Sequence, residues 1–502
     1  MIKIKFYIEN SKTIFELTEH ITDSEKSDFY KLLDQICIYT YTAFFKTKRM
    51  HKAEAVKKSF SLKGVNSFPT GLFSEILDSI EDFLNKDEIE IVDKRVFNEY
   101  DYFNYEFPYD LDDEQIECIQ NGLKYRRGYF HAVTGAGKTS IIISLLCELG
   151  GRSLVLVTSV DLVRQISNDI ELATQKFVTR LQGKDSIAGL ISDNAQIVVA
   201  SVPTIWKNFD YLKEIGFFEY FDNVFGDEIH HAGIKKGKIP DLNSYYQIMY
   251  FLNSFNKFGF SGTVEDDTFI KAITGPCLGT IDEDNLIDKG RLSKPYVFLL
   301  QINHPTIKEF REAFEKNILN NEFRNLLVLE IAKFLESKGL STMIMVDSKQ
   351  IQLMNLFHNS NFSYMTGQTS AKEREILYKK FEAKEILILM TTVSKEGINI
   401  PNLDCVLRAG ANKSFKRIKQ EKGRGLRIDK SSGKDKLLII DFFDDDGFWK
   451  EYDVIEKVWK TKVGYLKKQS KKRLAIYEES KNSVIKVFQM KETLFKEINN
   501  VW

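Results

Sequence analysis

Short runs of consecutive apolar residues, separated by stretches of helical periodicity, fill the middle of this chain. Leu154-Val155-Leu156-Val157, Ile197-Val198-Val199-Ala200 and Asn223-Val224-Phe225-Gly226 are apolar at successive positions, so both faces of each are buried. Strands of that kind belong to parallel sheets covered on both sides, and their alternation with helices predicts βαβ units. The rhythm occupies residues from about 101 to 300 and returns over about 301 to 450, with Met343-Ile344-Met345-Val346, Ile386-Leu387-Ile388-Leu389 and Leu437-Leu438-Ile439-Ile440. The expected fold class is α/β, two tandem parallel-sheet domains with a nucleotide cleft between them.

The ends of the chain read differently. In residues 1 to 100, Ile2 to Ile8 alternates as a strand and Ser27 to Phe45 has amphipathic helical spacing. Lys57 to Leu62 alternates again, and Pro69 and Gly71 punctuate the chain before a second helix near Leu72 to Leu84. These features predict a small α+β N-terminal domain. Residues 451 to 502 read as a helical, basic C-terminal extension.

Composition narrows the picture. A chain of 502 residues exceeds what one core accommodates. The 71 Lys and Arg residues balance 71 Asp and Glu, so no global field draws in a polyanion and any nucleic-acid contact must come from local clusters. No apolar run reaches the ~18 residues of a membrane span, and the N-terminus lacks a signal-peptide core, so the cytoplasm is the expected location. The five cysteines are scattered singly, which excludes a disulfide framework and predicts reduced, buried thiols.

Two segments carry chemistry. Ala132-Val133-Thr134-Gly135-Ala136-Gly137-Lys138-Thr139 lies between an apolar strand (Tyr129 to Ala132) and an apolar helix (Ser140 to Leu149). The backbone of Thr134 to Gly137, continuing into Ser140, is placed to wrap phosphate oxygens at a helix N-terminus. Lys138 would reach the terminal phosphates of ATP and the Thr139 hydroxyl would ligate Mg²⁺. About ninety residues later, Asp227-Glu228-Ile229-His230 follows the apolar strand that ends at Gly226. Asp227 would hold Mg²⁺, partly through water, and Glu228 would orient and deprotonate the attacking water. In the second unit, Gln420-Glu421-Lys422-Gly423-Arg424-Gly425-Leu426-Arg427 spaces Arg424 and Arg427 to share a helix face. With Gln420 they form the candidate catalytic set that meets transition-state charge.

In this order the segments resemble the superfamily 2 helicases of the DExH type, over residues of about 110 to 445. The resemblance implies two RecA-like domains and an ATP-driven motor. It implies that Gln115 reads adenine and that Gly397, in Glu396-Gly397-Ile398-Asn399, touches nucleotide. It makes Gln165, Thr204 and Thr392 nucleic-acid contacts, and His230 with Ser261-Gly262-Thr263 a coupling motif. Two positions depart from the usual pattern: Ala132 stands where Gly is general, and Gly262 where many members have Ala. Within the superfamily, Lys58-Ser59-Phe60-Ser61-Leu62 and Phe68-Pro69-Thr70-Gly71-Leu72 are similar to the N-terminal domain of the phage UvsW helicases. That likeness implies 3′-to-5′ translocation, fork regression and branch migration on branched DNA. An RNA helicase and a translocating subunit of a larger DNA-processing machine remain open as alternatives.

Two basic stretches are candidates for DNA phosphate contacts. One is Lys457, Lys460, Lys462, Lys467, Lys468, Lys471, Lys472 and Arg473, with Trp459 and Tyr465 interleaved. The other is Lys46, Lys48, Arg49, His51, Lys52, Lys57 and Lys58. Asp441 and Asp444-Asp445-Asp446 read as an acidic turn at a strand end.

Overall fold

The computed structural model describes the chain except residues 47–50, 61–65, 97–98, 182–194, 236–240, 265, 361, 393–401, 412–417, 420–421, 424, 427, 429–433 and 454–457. The chain divides into two compact units, Met1–Ile281 and Asp282–Trp502. Each is built on a seven-stranded sheet in which every neighbouring pair is parallel.

In the first unit the strand order is Cys277–Ile281, Arg127–Ala132, Asn256–Ser261, Asn223–Asp227, Ser153–Val157, Ile197–Ser201 and Thr179–Leu181. The central strands are buried at every position, as their unbroken apolar runs require. Because the strands run parallel, the residues that leave the carboxyl ends of Arg127–Ala132, Asn256–Ser261 and Asn223–Asp227 emerge side by side.

The N-terminal piece departs from an independent domain. Its four-stranded sheet, in the order Ser67–Pro69, Lys12–Leu17, Ile4–Ile8 and Ile89–Asp93, shares one hydrophobic core with the large sheet. Tyr39 and Phe60 pack on Phe269, and Phe60 stacks on Tyr246. The turn at Asn10 and Ser11 is held at the amino ends of the large-sheet strands. Arg127 donates to the Asn10 carbonyl, and Lys257 Nζ donates to Ser11 Oγ at 3.0 Å and to the Met249 carbonyl at 3.1 Å. Burial pushes the Arg127 guanidinium down to about 9 and the Lys257 ammonium well below its ordinary value.

The predicted helix from Ser27 to Phe45 is two elements. The helix runs Asp23–Ile36, started by the Thr22–Glu25 capping box, and Ile38–Lys46 pairs with His51–Ser59 as an antiparallel hairpin. The β-branched and aromatic alternation Ile38-Tyr39-Thr40-Tyr41-Thr42 prevails over the amphipathic spacing. Most of the second basic stretch lies on this hairpin. Of its members, Lys48 and Arg49 lie outside the described residues, and Lys57 and Lys58 are exposed.

In the second unit the strand order is Ser363–Met365, Ile388–Thr391, Thr342–Met345, Cys405–Arg408, Lys436–Asp445, Lys294–Asn303 and Val484–Phe488. Two expectations are corrected. Residues 282–300 belong to this unit, since the strand Lys294–Asn303 lies between Lys436–Asp445 and Val484–Phe488. Residues 451–502 are not a helical appendage. They supply a hairpin strand, Val458–Val463, the edge strand Val484–Phe488, and the helices Tyr465–Glu478 and Lys491–Val501. Leu494 and Ile498 of the last helix enter the core of the second sheet.

Of the carboxylates expected in an acidic turn, Asp441, Asp444 and Asp446 are buried instead, and Asp441, Asp444 and the partly exposed Asp445 lie within the strand Lys436–Asp445. Asp441 Oδ2 accepts from Arg408 at 2.8 Å, Arg473 at 3.0 Å and the Tyr477 hydroxyl at 2.9 Å. Asp444 accepts from Arg324 at 3.0 Å and lies 2.9 Å from His304 Nε2. Burial opposes the Asp444 charge, but Arg324 and His304 outweigh it and hold the carboxyl down at about 2. Asp446 accepts from the backbone N–H groups of Leu466 and Lys467, capping the helix Tyr465–Glu478. Ion pairs of this kind contribute modest net stability when intact but are costly to break. Arg473→Met, which keeps the volume and removes the charge, should lower stability by about 3–5 kcal/mol. Urea unfolding followed by circular dichroism checks this through an earlier midpoint.

Candidate functional site

The loop after strand Arg127–Ala132 turns through Gly135 (φ +90°) and Gly137 (φ +76°) and enters the helix Lys138–Leu149. Both glycines stand in backbone conformations that side chains rarely adopt. The first turn of the helix offers N–H groups that no intrahelical carbonyl can satisfy, together with the positive end of its dipole. Thr139 stands in this turn, partly exposed. Ser140 is buried, its hydroxyl 2.7 Å from that of Tyr109.

Gln115 lies behind the loop. Its amide nitrogen donates to the Ala136 carbonyl at 2.9 Å, and its amide oxygen accepts from the Asp112 N–H at 2.9 Å. A Cβ on Gly137 would stand 2.1 Å from that amide nitrogen. The expected adenine reader is therefore buried and braces the phosphate loop. Tyr109, which sequence reasoning missed, has a half-exposed ring stacked on Phe107 at 5.6 Å.

The carboxylates sit two strands away. Asp227 ends the strand Asn223–Asp227, and its carbonyl accepts from the Tyr245 hydroxyl. Glu228 follows with φ +50°, a strained geometry for a residue that carries a side chain. That reversal opens the short turn Ile229–His231 and places the imidazole beside the carboxylate. Glu228 Oε1 lies 3.6 Å from Lys138 Nζ, and Oε2 lies 3.2 Å from His230 Nδ1. His230 Nδ1 is also 2.8 Å from Ser261 Oγ. Ser261 Oγ in turn donates to the Thr263 carbonyl at 2.9 Å and accepts from its N–H at 3.1 Å. Burial pushes the Glu228 carboxyl up, but the Lys138 ammonium and the His230 hydrogen bond outweigh it and hold it well below its ordinary value.

Gly262 closes the ring. A Cβ there would stand 3.2 Å from the Thr134 nitrogen, 3.3 Å from the Ala132 carbonyl and 3.5 Å from Lys138 Nζ. The segment Ser261–Thr263 therefore abuts the phosphate loop, with little space beside Gly262 for a side chain. Lysine, glutamate, histidine and serine form one connected line across three adjacent strand ends. The glycine loop is thereby joined to an acidic strand end and to the segment after the neighbouring strand.

Family models agree with this geometry. Residues 108–266 match the type III restriction enzyme res subunit, and residues 322–429 match the helicase conserved C-terminal domain. The chain is a superfamily 2 helicase. Its two parallel sheets are the tandem RecA-like domains of that family, whose members hydrolyse ATP. Among similar proteins is IRC3 of Saccharomyces cerevisiae, described as an ATP-dependent helicase. It is 27% identical over 67% of this chain and 51% of its own length. Another is the DNA 3′-5′ translocase XPB2 of Sulfurisphaera tokodaii, 23% identical over 66% of this chain and 81% of its own. The chain thus spans about half the length of the yeast relative. Among solved structures, the ATP-dependent Type ISP restriction-modification enzyme LlaBIII bound to DNA covers 83% of this chain, and 34% of that chain is covered. It has a TM-score of 0.54 and 16% identity. UvsW of bacteriophage T4 aligns over 97% of this chain and 100% of its own, at 20% identity and a TM-score of 0.41.

The remaining candidates divide. Gly397, Gln420, Arg424 and Arg427 lie outside the described residues. Gln165 is exposed on the helix Val160–Thr174. The Thr204 hydroxyl is 2.8 Å from Ser201 Oγ, within the N-cap of its own helix, so it is buried and engaged. Thr392 is partly exposed. Lys468, Lys471 and Lys472 are exposed on the helix Tyr465–Glu478, whereas Lys467 pairs with Asp445 at 2.8 Å. Arg473 is corrected: it lies 1% exposed among the buried aspartates and cannot grip a phosphate. Among the cysteines, Cys277 is exposed rather than buried.

Gly137→Ala should cost about 1–2 kcal/mol in nucleotide affinity through its left-handed backbone alone. Its Cβ would also break the Gln115 brace. Titration with a fluorescent ATP analogue checks this, and Gln115→Ala in the same chain should recover part of the loss. A second expectation concerns acid. Glu228 has a folded value depressed below its ordinary 4.5, so its stabilisation is present above that pH and is lost as pH falls towards about 2. Glu228→Gln should therefore flatten the acid limb of thermal stability below about pH 4.5, read by calorimetry across a pH series.

Proposed function

We propose that this chain is an ATP- and Mg²⁺-dependent DNA translocase and helicase that remodels branched DNA, by fork regression and junction branch migration with 3′-to-5′ movement. The observation that carries the motor is the line from Lys138 through Glu228 and His230 to Ser261 and Thr263. It ties the group that meets the terminal phosphate to a segment after the neighbouring strand, so a change at the nucleotide is passed to that segment. DNA as the track, and its direction, are supported by the relative named a DNA 3′-5′ translocase. Branched DNA is supported by the UvsW-like segments around Phe60 and Phe68.

The residues fit nucleotide and metal. The Gly137 backbone and the helix N-terminus suit phosphate oxygens, and the oxygen donors Thr139 and Asp227 suit Mg²⁺. When bound, the ion would neutralise charge on the phosphates. Lys138 binds the terminal phosphate. Glu228, ionised and braced by His230, orients and deprotonates the attacking water. Arg424 and Arg427 supply positive charge to the transition state, and Gln420 offers it a neutral hydrogen-bond donor.

A second reading is favoured by one finding. The match of residues 108–266 to a restriction-enzyme res subunit suits a duplex-tracking motor of a larger complex. Strand displacement by the chain alone separates the two.

Lys138→Ala should abolish ATP turnover at saturating forked DNA while leaving DNA affinity within about threefold, since phosphate and DNA contacts are separate. A coupled ATPase assay beside fluorescence anisotropy on forks, Holliday junctions, bubbles and RNA duplexes reads both. Stimulation by structured RNA alone would remove the DNA assignment.

A further inference from the structure

The two strands Phe448–Asp453 and Val458–Val463 form an antiparallel ribbon, with Phe448 opposite Val463, Lys450 opposite Thr461 and Tyr452 opposite Trp459. Side chains alternate between the two faces of such a ribbon. Trp449 belongs to the face that leans on the unit: its ring lies 5.2 Å from Tyr465, which in turn lies 5.8 Å from Phe310. Phe448, Lys450, Trp459, Thr461 and Val463 belong to the opposite face. There Trp459 is 69% exposed, Phe448 53% and Val463 36%.

Exposed aromatic rings along a two-stranded ribbon add nothing to a core. An exposed apolar patch with a polar rim marks a binding surface. The rim identifies the occupant. Lys450 and Thr461 share the face, and the Lys467 ammonium lies 4.3 Å from the Phe448 ring centre. Lys460 and Lys462 point to the other face, and Lys468, Lys471 and Lys472 are exposed on the helix that follows. Glu451, 3.7 Å from Lys462, is the single carboxylate among the described side chains of the ribbon. A ligand matching flat π-faces inside a cationic rim presents flat rings on an anionic backbone.

We propose that this ribbon face is a stacking platform for unpaired bases of a DNA strand, with Trp459 and Phe448 taking the bases and Lys450, between them on the same face, a phosphate. The proposal rests on the reading of the chain as a DNA motor and adds a site outside the RecA-like motifs. Stacking on aromatic side chains tolerates any base, as a motor's track requires.

The test uses the full chain. Affinities for dye-labelled oligothymidine, for a fork with an unpaired arm and for a blunt duplex are measured by anisotropy across a salt series. Phe448→Ala with Trp459→Ala should weaken oligothymidine binding about tenfold or more. The blunt duplex and the DNA-free ATPase should be unchanged, and Trp459→Phe should retain most of the affinity. Lys450→Gln should reduce the salt slope by ~0.7, whereas Lys462→Gln, on the opposite face, should leave it unchanged. Equal oligothymidine affinity in the double variant, with wild-type stimulation of ATPase by DNA intact, overturns the platform and leaves the motor standing. A wild-type chain that binds none of the three DNAs overturns both. Sedimentation showing a wild-type dimer that Trp459→Ala dissolves overturns the platform in favour of a self-association surface.

Discussion

The chemistry of this molecule depends on one charge pair, the Lys138 ammonium 3.6 Å from the Glu228 carboxylate. A helix N-terminus that ends in a lysine concentrates positive potential, and only an anion relieves it. Burial pushes the Glu228 carboxyl up, and the Lys138 ammonium with the His230 hydrogen bond outweighs it and keeps the group ionised. His230 holds the other carboxylate oxygen, and Ser261 holds His230.

This pair is possible because of sheet geometry. Strands Arg127–Ala132, Asn256–Ser261 and Asn223–Asp227 are parallel neighbours, so three loops distant in sequence converge at one edge. The opposite edge does other work. Arg127 and Lys257 are buried there with hydrogen bonds to carbonyl and hydroxyl oxygens, and both are pushed down by burial. Their donors are spent on the Asn10 turn, so the price of burying two cations fastens the small N-terminal sheet to the motor domain. One continuous core then joins that sheet to the nucleotide-binding domain.

The sequence made the strands of both large sheets legible, because parallel strands buried on both faces are apolar without interruption. It made the turn before the helix Lys138–Leu149 legible because a left-handed backbone needs glycine. What it hid were partnerships. Gln115 carries no mark that its amide is bound to Ala136, and nothing near Thr204 shows that its hydroxyl caps its own helix. The aspartates at 441 and 444 resembled a solvated turn because their partners, Arg324, Arg408 and Arg473, lie up to 120 residues away. Charges close in space and remote in sequence leave no periodicity.

The same argument explains why the basic tail was misjudged in part. Counting lysines and arginines from Lys457 to Arg473 treats them as equivalent, but the helix Tyr465–Glu478 sorts them by face. Arg473 shares the buried face with Leu466, Ser470 and Tyr477, where it meets Asp441 and also donates to the Ala411 carbonyl at 3.2 Å. Arg324 donates to the Ala409 carbonyl. The segment 409–411, which leads the chain towards Gln420 and Arg424, is thus gripped by two guanidinium groups, one from the tail. Lys468, Lys471 and Lys472 are left to solvent. A basic residue three positions from another on a helix can be a phosphate contact or a structural rivet, and burial decides which.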